Sequence, residues 1–192
     1  MSRGYFGIGV ESISKSMNVG NLFRSAHAFG ASFVFTVAAN YERKLGDKAD
    51  TSNAMGHLPF YSFPDAGSLM LPDGCNLVGV ELMDSSVELP SFRHPPQAAY
   101  ILGPERGELS PELAARCDWV VKIPTKFCVN VGIAGAIVMY DRMMSANKFP
   151  RRAELPGPPT QAAPEHKHGG RFSRKAKRME KFLDTPPEGY ND

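Results

Sequence analysis

The 192-residue chain is 42% hydrophobic and 22% charged, with 18 Gly and 16 Pro, so it can build a core and is not wholly disordered. Its net charge of +2 is unevenly placed: residues 1–149 carry 13 Lys/Arg against 14 Asp/Glu, whereas residues 150–192 carry 9 against 6. The opening MSRGYFGIGVESISK lacks a signal-peptide run, and the longest uncharged apolar run, Val131 to Tyr140, is half the ~20 residues of a membrane span. Three widely spaced cysteines (Cys75, Cys117, Cys128) argue against a disulfide framework or a zinc site and for reduced, partly buried thiols in a cytoplasmic protein.

Tyr5–Val10 (YFGIGV) predicts a first strand, and Glu11–Met17 a polar connection. Asn18 is a good N-cap for a helix closed by Gly30, with Val19, Leu22, Phe23, Ala26 and Phe29 as its apolar stripe. Ser32–Ala38 predicts a second strand, Asn40–His57 a polar loop with a short helical turn, Pro59–Phe63 a strand, and the residues after Pro64 a short helix. Asn76–Leu82 and Ala98–Leu102 are strands that run into loops rich in Gly, Pro, Asp or Ser. Ser110–Pro111 opens a short helix to Arg116, and Trp119–Ile123 is a strand broken by Pro124. A longer helix spans Asn130 to Lys148, with Val131, Ala134, Ile137, Val138 and Met144 in helical period.

This alternation predicts an α/β fold with a mostly parallel sheet and flanking helices, whose ligands sit at the carboxyl ends of the strands. After Phe149 the composition shifts to a Pro/Ala-rich linker and then to a basic stretch. Residues 165–181 hold seven Lys/Arg against two Glu. The expected organisation is a folded domain at 1–149 followed by an extended linker and flexible tail at 150–192.

Three segments carry candidate chemistry. In NVGNLFRSA, Asn18, Asn21, Arg24 and Ser25 share the face opposite the apolar stripe, while two Asn and Gly20 are poor helix formers. A solvated face accounts for the polarity, but such local inconsistency gathers at functional sites. In ILGPERGELS a strand runs into Gly-Pro-Glu-Arg-Gly, a turn able to present main-chain groups to a ligand. Its spacing is neither that of a P-loop nor that of a dinucleotide fingerprint, and an ordinary turn is the alternative. In KIPTKFCVNVGIAGAIVMYDR a third strand and Pro-loop lead into a helix whose start, Gly132 to Ala136, permits close packing against another backbone. A buried core helix explains those small residues but not Asn130 beside them.

In this order the three segments resemble the SPOUT superfamily of RNA methyltransferases, in its SpoU/TrmH branch. That branch shows N-x-G-N-x-x-R-x-A, then G-P-E-x-x-G, then I-P-M…S-L-N-V-S-V-A; here these read NVGNLFRSA, GPERGEL and IPT…CVNVGIAGA. The resemblance covers residues 4–148 and implies an α/β fold with a C-terminal trefoil knot, in a homodimer. It implies S-adenosylmethionine as cofactor, lined by Val80, Glu81, Gly103, Glu105, Gly107, Ile123, Cys128 and Val129. It also implies Arg24 as the catalytic arginine, supported by Asn18, Glu105 and Asn130, and no metal.

Two departures from the family pattern stand out. Only Lys126 and Phe127 separate IPT from CVN where the family commonly has about five residues, and Cys128 and Thr125 replace the family's Ser and Met. A serine hydroxyl role therefore does not carry over. The compact form resembles relatives that act on tRNA through the dimer surface alone. The expected activity is ribose 2′-O-methylation of RNA, with tRNA ahead of rRNA. Base-nitrogen methylation and a non-catalytic RNA-binding dimer are the alternatives.

Overall fold

A computed structural model describes residues 4–39, 56–104, 107–146 and Pro156. The chain divides into two compact units, Met1–Lys148 and Phe149–Asp192. Apart from Pro156 the linker and basic tail lie outside the described residues, as do most of the predicted loop 40–57 and Glu105.

Among the described residues the first unit has seven strands: β1 Tyr5–Glu11, β2 Phe33–Val37, β3 Phe60–Phe63, β4 Asn76–Val80, β5 Val87–Glu88, β6 Gln97–Leu102 and β7 Trp119–Lys122. They form one sheet in the order β3-β2-β1-β6-β4-β7-β5, and every strand pairing among the described residues is parallel. Helices α1 (Ser16–Phe29), α2 (Pro111–Arg116) and α3 (Val131–Ala146) connect or follow the strands.

Strand alternation sorts the core into two layers. Phe6, Ile8 and Val10 of β1 join Val78, Val80, Tyr100 and Leu102 beneath α1 and α3. On the opposite face Phe33, Phe35, Ile101 and Leu77 pack with Leu109 and Leu113 near α2. Gly7 and Gly9 lie on that second face. A Cβ at Gly7 would enter the Phe33 ring, and one at Gly9 would sit 2.6 Å from Phe35 Cδ2. The glycine alternation in YFGIGV thus makes room for two neighbouring aromatic rings.

Helix α1 forms in spite of its sequence. Gly20 costs about 1 kcal/mol and the two Asn roughly half that each. Burial of Val19, Leu22, Phe23 and Ala26 against the sheet contributes several times more, at about 1.5–3 kcal/mol for each large side chain. Tertiary packing decides the outcome. The helix starts at Ser16, with Lys15 as N-cap and no side-chain cap, so Asn18 is a first-turn residue and not the predicted cap. Its end is as predicted: Gly30 sits at φ 77° and closes the last turn. Helix α3 packs across α1 through small residues, since a Cβ at Gly135 would strike Leu22 and one at Gly132 would lie 3.3 Å from Asn21 Cβ.

Other predicted elements are corrected. The residues after Pro64 form a turn in which Asp65 Oδ1 accepts from the Ser68 amide and hydroxyl, both at 2.7 Å, instead of a helix. Strand β4 ends at Val80, two residues early, and β5 with the 3-10 turn Leu89–Ser91 was not anticipated. Ser110 caps α2 as expected, accepting from Leu113 N at 3.2 Å.

Candidate functional site

The carboxyl ends of β4, β6 and β7 lie side by side, and three loops leave the sheet there. Together with the starts of α1 and α3 they enclose a cavity of about 360 Å³, within the range of small-molecule sites. Val80 and Glu81 come from the end of β4, Gly103 and Gly107 from the loop after β6, Ile123 and Cys128–Val129 from the loop after β7, and Asn18 and Asn130 from the two helix starts. All the residues assigned to the cofactor from sequence line this one cavity, except Glu105, which lies outside the described residues. Sequence reasoning missed Lys15, which brings a cation to the same wall. Its signal was a basic residue one helical turn before Asn18.

The first shared feature of these loops is a backbone locked from behind. Val10, Leu102 and Val80 are register partners across β1, β6 and β4. One residue further on stand Glu11, Gly103 and Glu81. Glu81 Oε2 accepts from Leu109 N at 3.1 Å, its Oε1 accepts from Leu82 N at 2.9 Å, and Glu11 Oε2 accepts from Ser110 N at 2.8 Å. A Cβ on Gly103 would collide with Glu81 Oε2 and approach Leu109 N to 3.3 Å. Gly103 is therefore required by the carboxylate that holds the loop, a different reason from the ligand approach its position suggested. Gly107, at φ 107°, occupies a backbone region that other residues rarely adopt.

The short loop after β7 is closed by Thr125. Its amide donates to Ile123 O at 2.7 Å and its hydroxyl to Phe127 O at 2.9 Å, so Lys126 and Phe127 project outward. Cys128 is exposed and lines the cavity, which corrects the expectation of a partly buried thiol there. Cys75 and Cys117 are half-buried, and burial pushes the Cys117 thiol up to about 11.

Asn130 joins the two helices. Its Nδ2 donates to Asn18 Oδ1 at 3.0 Å and its Oδ1 accepts from Gly132 N at 2.9 Å, capping α3 and tying it to α1. Arg24 does not share the cavity. It is exposed two turns along α1, about 9 Å of rise from Asn18, in an outer groove lined by Asn21, Ser25, Asn130, Ile133 and Tyr140. Asn130 borders both spaces.

The cavity combines apolar wall with polar groups and one cation. Val80, Leu102, Ile123, Val129 and Ala134 offer apolar wall for a flat ring, and Asn18, Lys15, Thr125 and Asn130 offer polar groups. Among the described residues no cluster of three metal-ligating side chains occurs, and no helix is long and apolar enough to cross a membrane.

A parallel sheet that opens a ligand cavity between loops at its carboxyl edge, with neither a P-loop nor a dinucleotide fingerprint, defines an α/β ligand-binding protein. Residues 6–140 match the model of the SpoU rRNA Methylase family, and the chain belongs to that family. Among solved structures it is similar to the SpoU methyltransferase AviRb of Streptomyces viridochromogenes, in complex with the cofactor AdoMet. The two are 19% identical with a TM-score of 0.67, over 76% of this chain and 59% of that one. An rRNA methyltransferase of Sinorhizobium meliloti gives 20% identity and a TM-score of 0.68, over 74% of this chain and 56% of that one. A structure concerning 2-OH methylation of C/U34 on tRNA gives 18% and 0.62, over 76% of this chain and 98% of that one. This chain thus spans under two thirds of the first two relatives, and at these identities the likeness establishes the fold. Among curated proteins no sequence matches.

Proposed function

We propose that the chain is an S-adenosylmethionine-dependent RNA methyltransferase that acts on a ribose 2′-hydroxyl of tRNA. The observation that carries this reading is the convergence of three separated loops on one cavity whose walls are the residues the family motifs single out. The relatives solved with AdoMet support the choice of cofactor. The relative associated with tRNA, matched over 98% of its own length, favours tRNA. Methylation of rRNA is the second reading, favoured by the structures described as rRNA methyltransferases.

S-adenosylmethionine supplies a methyl that is already electrophilic. What this chain adds is alignment of the hydroxyl with that methyl, the hydroxyl proton leaving to solvent. The loops after β4, β6 and β7 fix the cofactor by main-chain and apolar contact, and Asn18 and Asn130 face it from the helix starts. Arg24, permanently charged, holds the ribose hydroxyl and the adjoining phosphate through paired N–H donors. As Arg24 lies in the outer groove, RNA approaches along α1 and α3. A knotted C-terminal segment and a cytoplasmic homodimer complete the reading, with exposed Ile133 and Tyr140 on α3 supporting a subunit contact. The basic stretch at 165–181 adds phosphate contacts, and its removal makes the salt dependence of RNA binding shallower.

The test has two arms. Calorimetry with S-adenosylmethionine should give a one-to-one complex, and the protein should transfer labelled methyl to bulk tRNA, recovered on digestion as a 2′-O-methylnucleoside. No binding excludes the enzyme reading, a methylated base corrects the target atom, and labelling of rRNA alone corrects the substrate.

A further inference from the structure

The cofactor cavity accounts for Glu81 but not for Glu11. Glu11 is the last residue of β1, 5% exposed, with a carboxylate turned to the face of the sheet opposite α1 and α3. Burying a carboxylate there costs free energy unless the charge is met. It is met by a main-chain amide, Ser110 N at 2.8 Å, across 99 residues of sequence. The neighbouring amide, Leu109 N, is held by Glu81 Oε2 at 3.1 Å. Two acids from strands on either side of β6 thus grip consecutive amides where the loop after β6 returns to the sheet, and Gly103, between them in the row, leaves the space in which Glu81 lies.

We infer that Glu11 and Glu81 act as a paired clamp that sets the position of the loop after β6, which makes Glu11 a positioning residue for cofactor binding although it lines no part of the cavity. The inference rests on the cofactor reading given above. The described part of this loop contains Gly103 and Gly107, the latter at positive φ, and reaches its first buried apolar side chain at Leu109. Charge-assisted bonds to amides are about twice as strong as neutral ones. Here they fix the two residues through which the loop joins α2, since Ser110 is also the N-cap of that helix. Free of Glu11, the returning limb would sample positions in which Gly103 and Gly107 no longer face the cavity together, and binding would carry the entropy of reordering it.

The test compares Glu11→Ala and Glu11→Gln in the full chain by three readouts: S-adenosylmethionine affinity by calorimetry, melting temperature, and amide hydrogen exchange at Leu109 and Ser110 without ligand. A neutral Gln still accepts a hydrogen bond, more weakly, so Kd should rise in the order parent, Gln, Ala, with the Ala variant weaker by on the order of tenfold or more. Exchange at Ser110 should quicken in the same order. Folded variants whose Kd stays within twofold of the parent would overturn the clamp and leave Glu11 a purely structural acid, whatever their melting temperatures. Should Glu11→Ala not fold, the Gln variant decides by the same two readouts. A parent that does not bind S-adenosylmethionine sinks the cofactor reading instead. The Ser110 exchange rates then judge the clamp alone, and equal rates in parent and variants would refute it.

Discussion

Replacing Arg142 with Ala should destabilise the domain by several kcal/mol. Arg142 lies on the buried side of α3, 6% exposed, near the amino ends of β1 and β6. Its Nη1 donates to Pro95 O at 2.6 Å and to the Tyr100 hydroxyl at 3.1 Å. Its Nη2 donates to Pro96 O at 2.8 Å and to Tyr5 O at 3.2 Å. The guanidinium also stacks over Phe6 and Tyr100, 5.3 and 5.8 Å from the ring centroids. Truncation to Ala leaves three carbonyls and a hydroxyl short of a donor, each worth about 1–3 kcal/mol if kept dry. An open cavity alongside, lined by Gly4, His94, Pro95 and Met139 among others, admits water to some of them. A net loss of about 3–5 kcal/mol follows, against a total of about 5–15 for a domain. At about 2–4 °C per kcal/mol for this size the melting temperature should fall by about 6–20 °C. Arg142→Lys should recover only part of this, because one ammonium cannot reach four acceptors in fork geometry. Urea unfolding followed by circular dichroism measures the difference. A loss below about 1 kcal/mol would show that water replaces the guanidinium and that the network holds nothing together.

The same network gives a pH dependence. His94 Nδ1 lies 2.6 Å from the Tyr100 hydroxyl and its Nε2 2.9 Å from Asp141 Oδ2. The bonding pattern assigns a neutral ring: Arg142 donates to Tyr100, Tyr100 donates to Nδ1, and Nε2–H donates to Asp141. Burial holds the His94 pKa below its usual value in spite of Asp141, and pushes Tyr100 up to about 12. A depressed folded-state pKa means that the unfolded chain takes up the proton first. Stability from His94 is therefore full above about pH 6.5 and is lost as pH falls below it. His94→Gln should flatten the slope between pH 7 and 5, and an unchanged slope would reject the neutral assignment. Arg24→Ala should abolish methyl transfer while S-adenosylmethionine affinity, read by calorimetry, and melting temperature stay near the parent's, since Arg24 is exposed and outside the cavity; turnover within a few-fold of the parent would end its catalytic role. Gly103→Ala should displace the Glu81 carboxylate, costing about 1–3 kcal/mol, and weaken cofactor binding; a variant with parental stability and affinity would contradict the packing.

What was legible in the sequence was whatever a local pattern writes down. The first strand, the Gly30 stop and the Ser110–Pro111 start each follow from a few adjacent residues, and the structure places them as read. The start of α1 was misplaced because Asn18 has a cap's chemistry, whereas the observed start at Ser16 carries no side-chain cap at all. Strand β5 was invisible because its two exposed residues exist only as partners of β7. Nor could spacing show that Glu11 meets Ser110 or that His94 meets Asp141, since both are products of tertiary register. One clue was present. Arg142 falls four residues after Val138 on the apolar stripe of α3, and a charge on a buried stripe needs an unusual partner.

The strand order also bears on how the chain is made. Inner strand β1 borders β2 on one side, but its other neighbour is β6, about 90 residues later, and Arg142 reaches back to Tyr5 across 137 residues. A ribosome delivering the chain from its N-terminus therefore exposes β1 with one open edge until Leu102 has emerged. The early sheet of β1, β2 and β3 must wait in that state for its counterpart. At about 5–20 residues per second the delay is about 5–20 s, a window in which YFGIGV and SFVFTV are available to other strands. Fragments ending before β6 should for this reason aggregate rather than fold, and a chaperone that shields nascent apolar edges would find its longest task here.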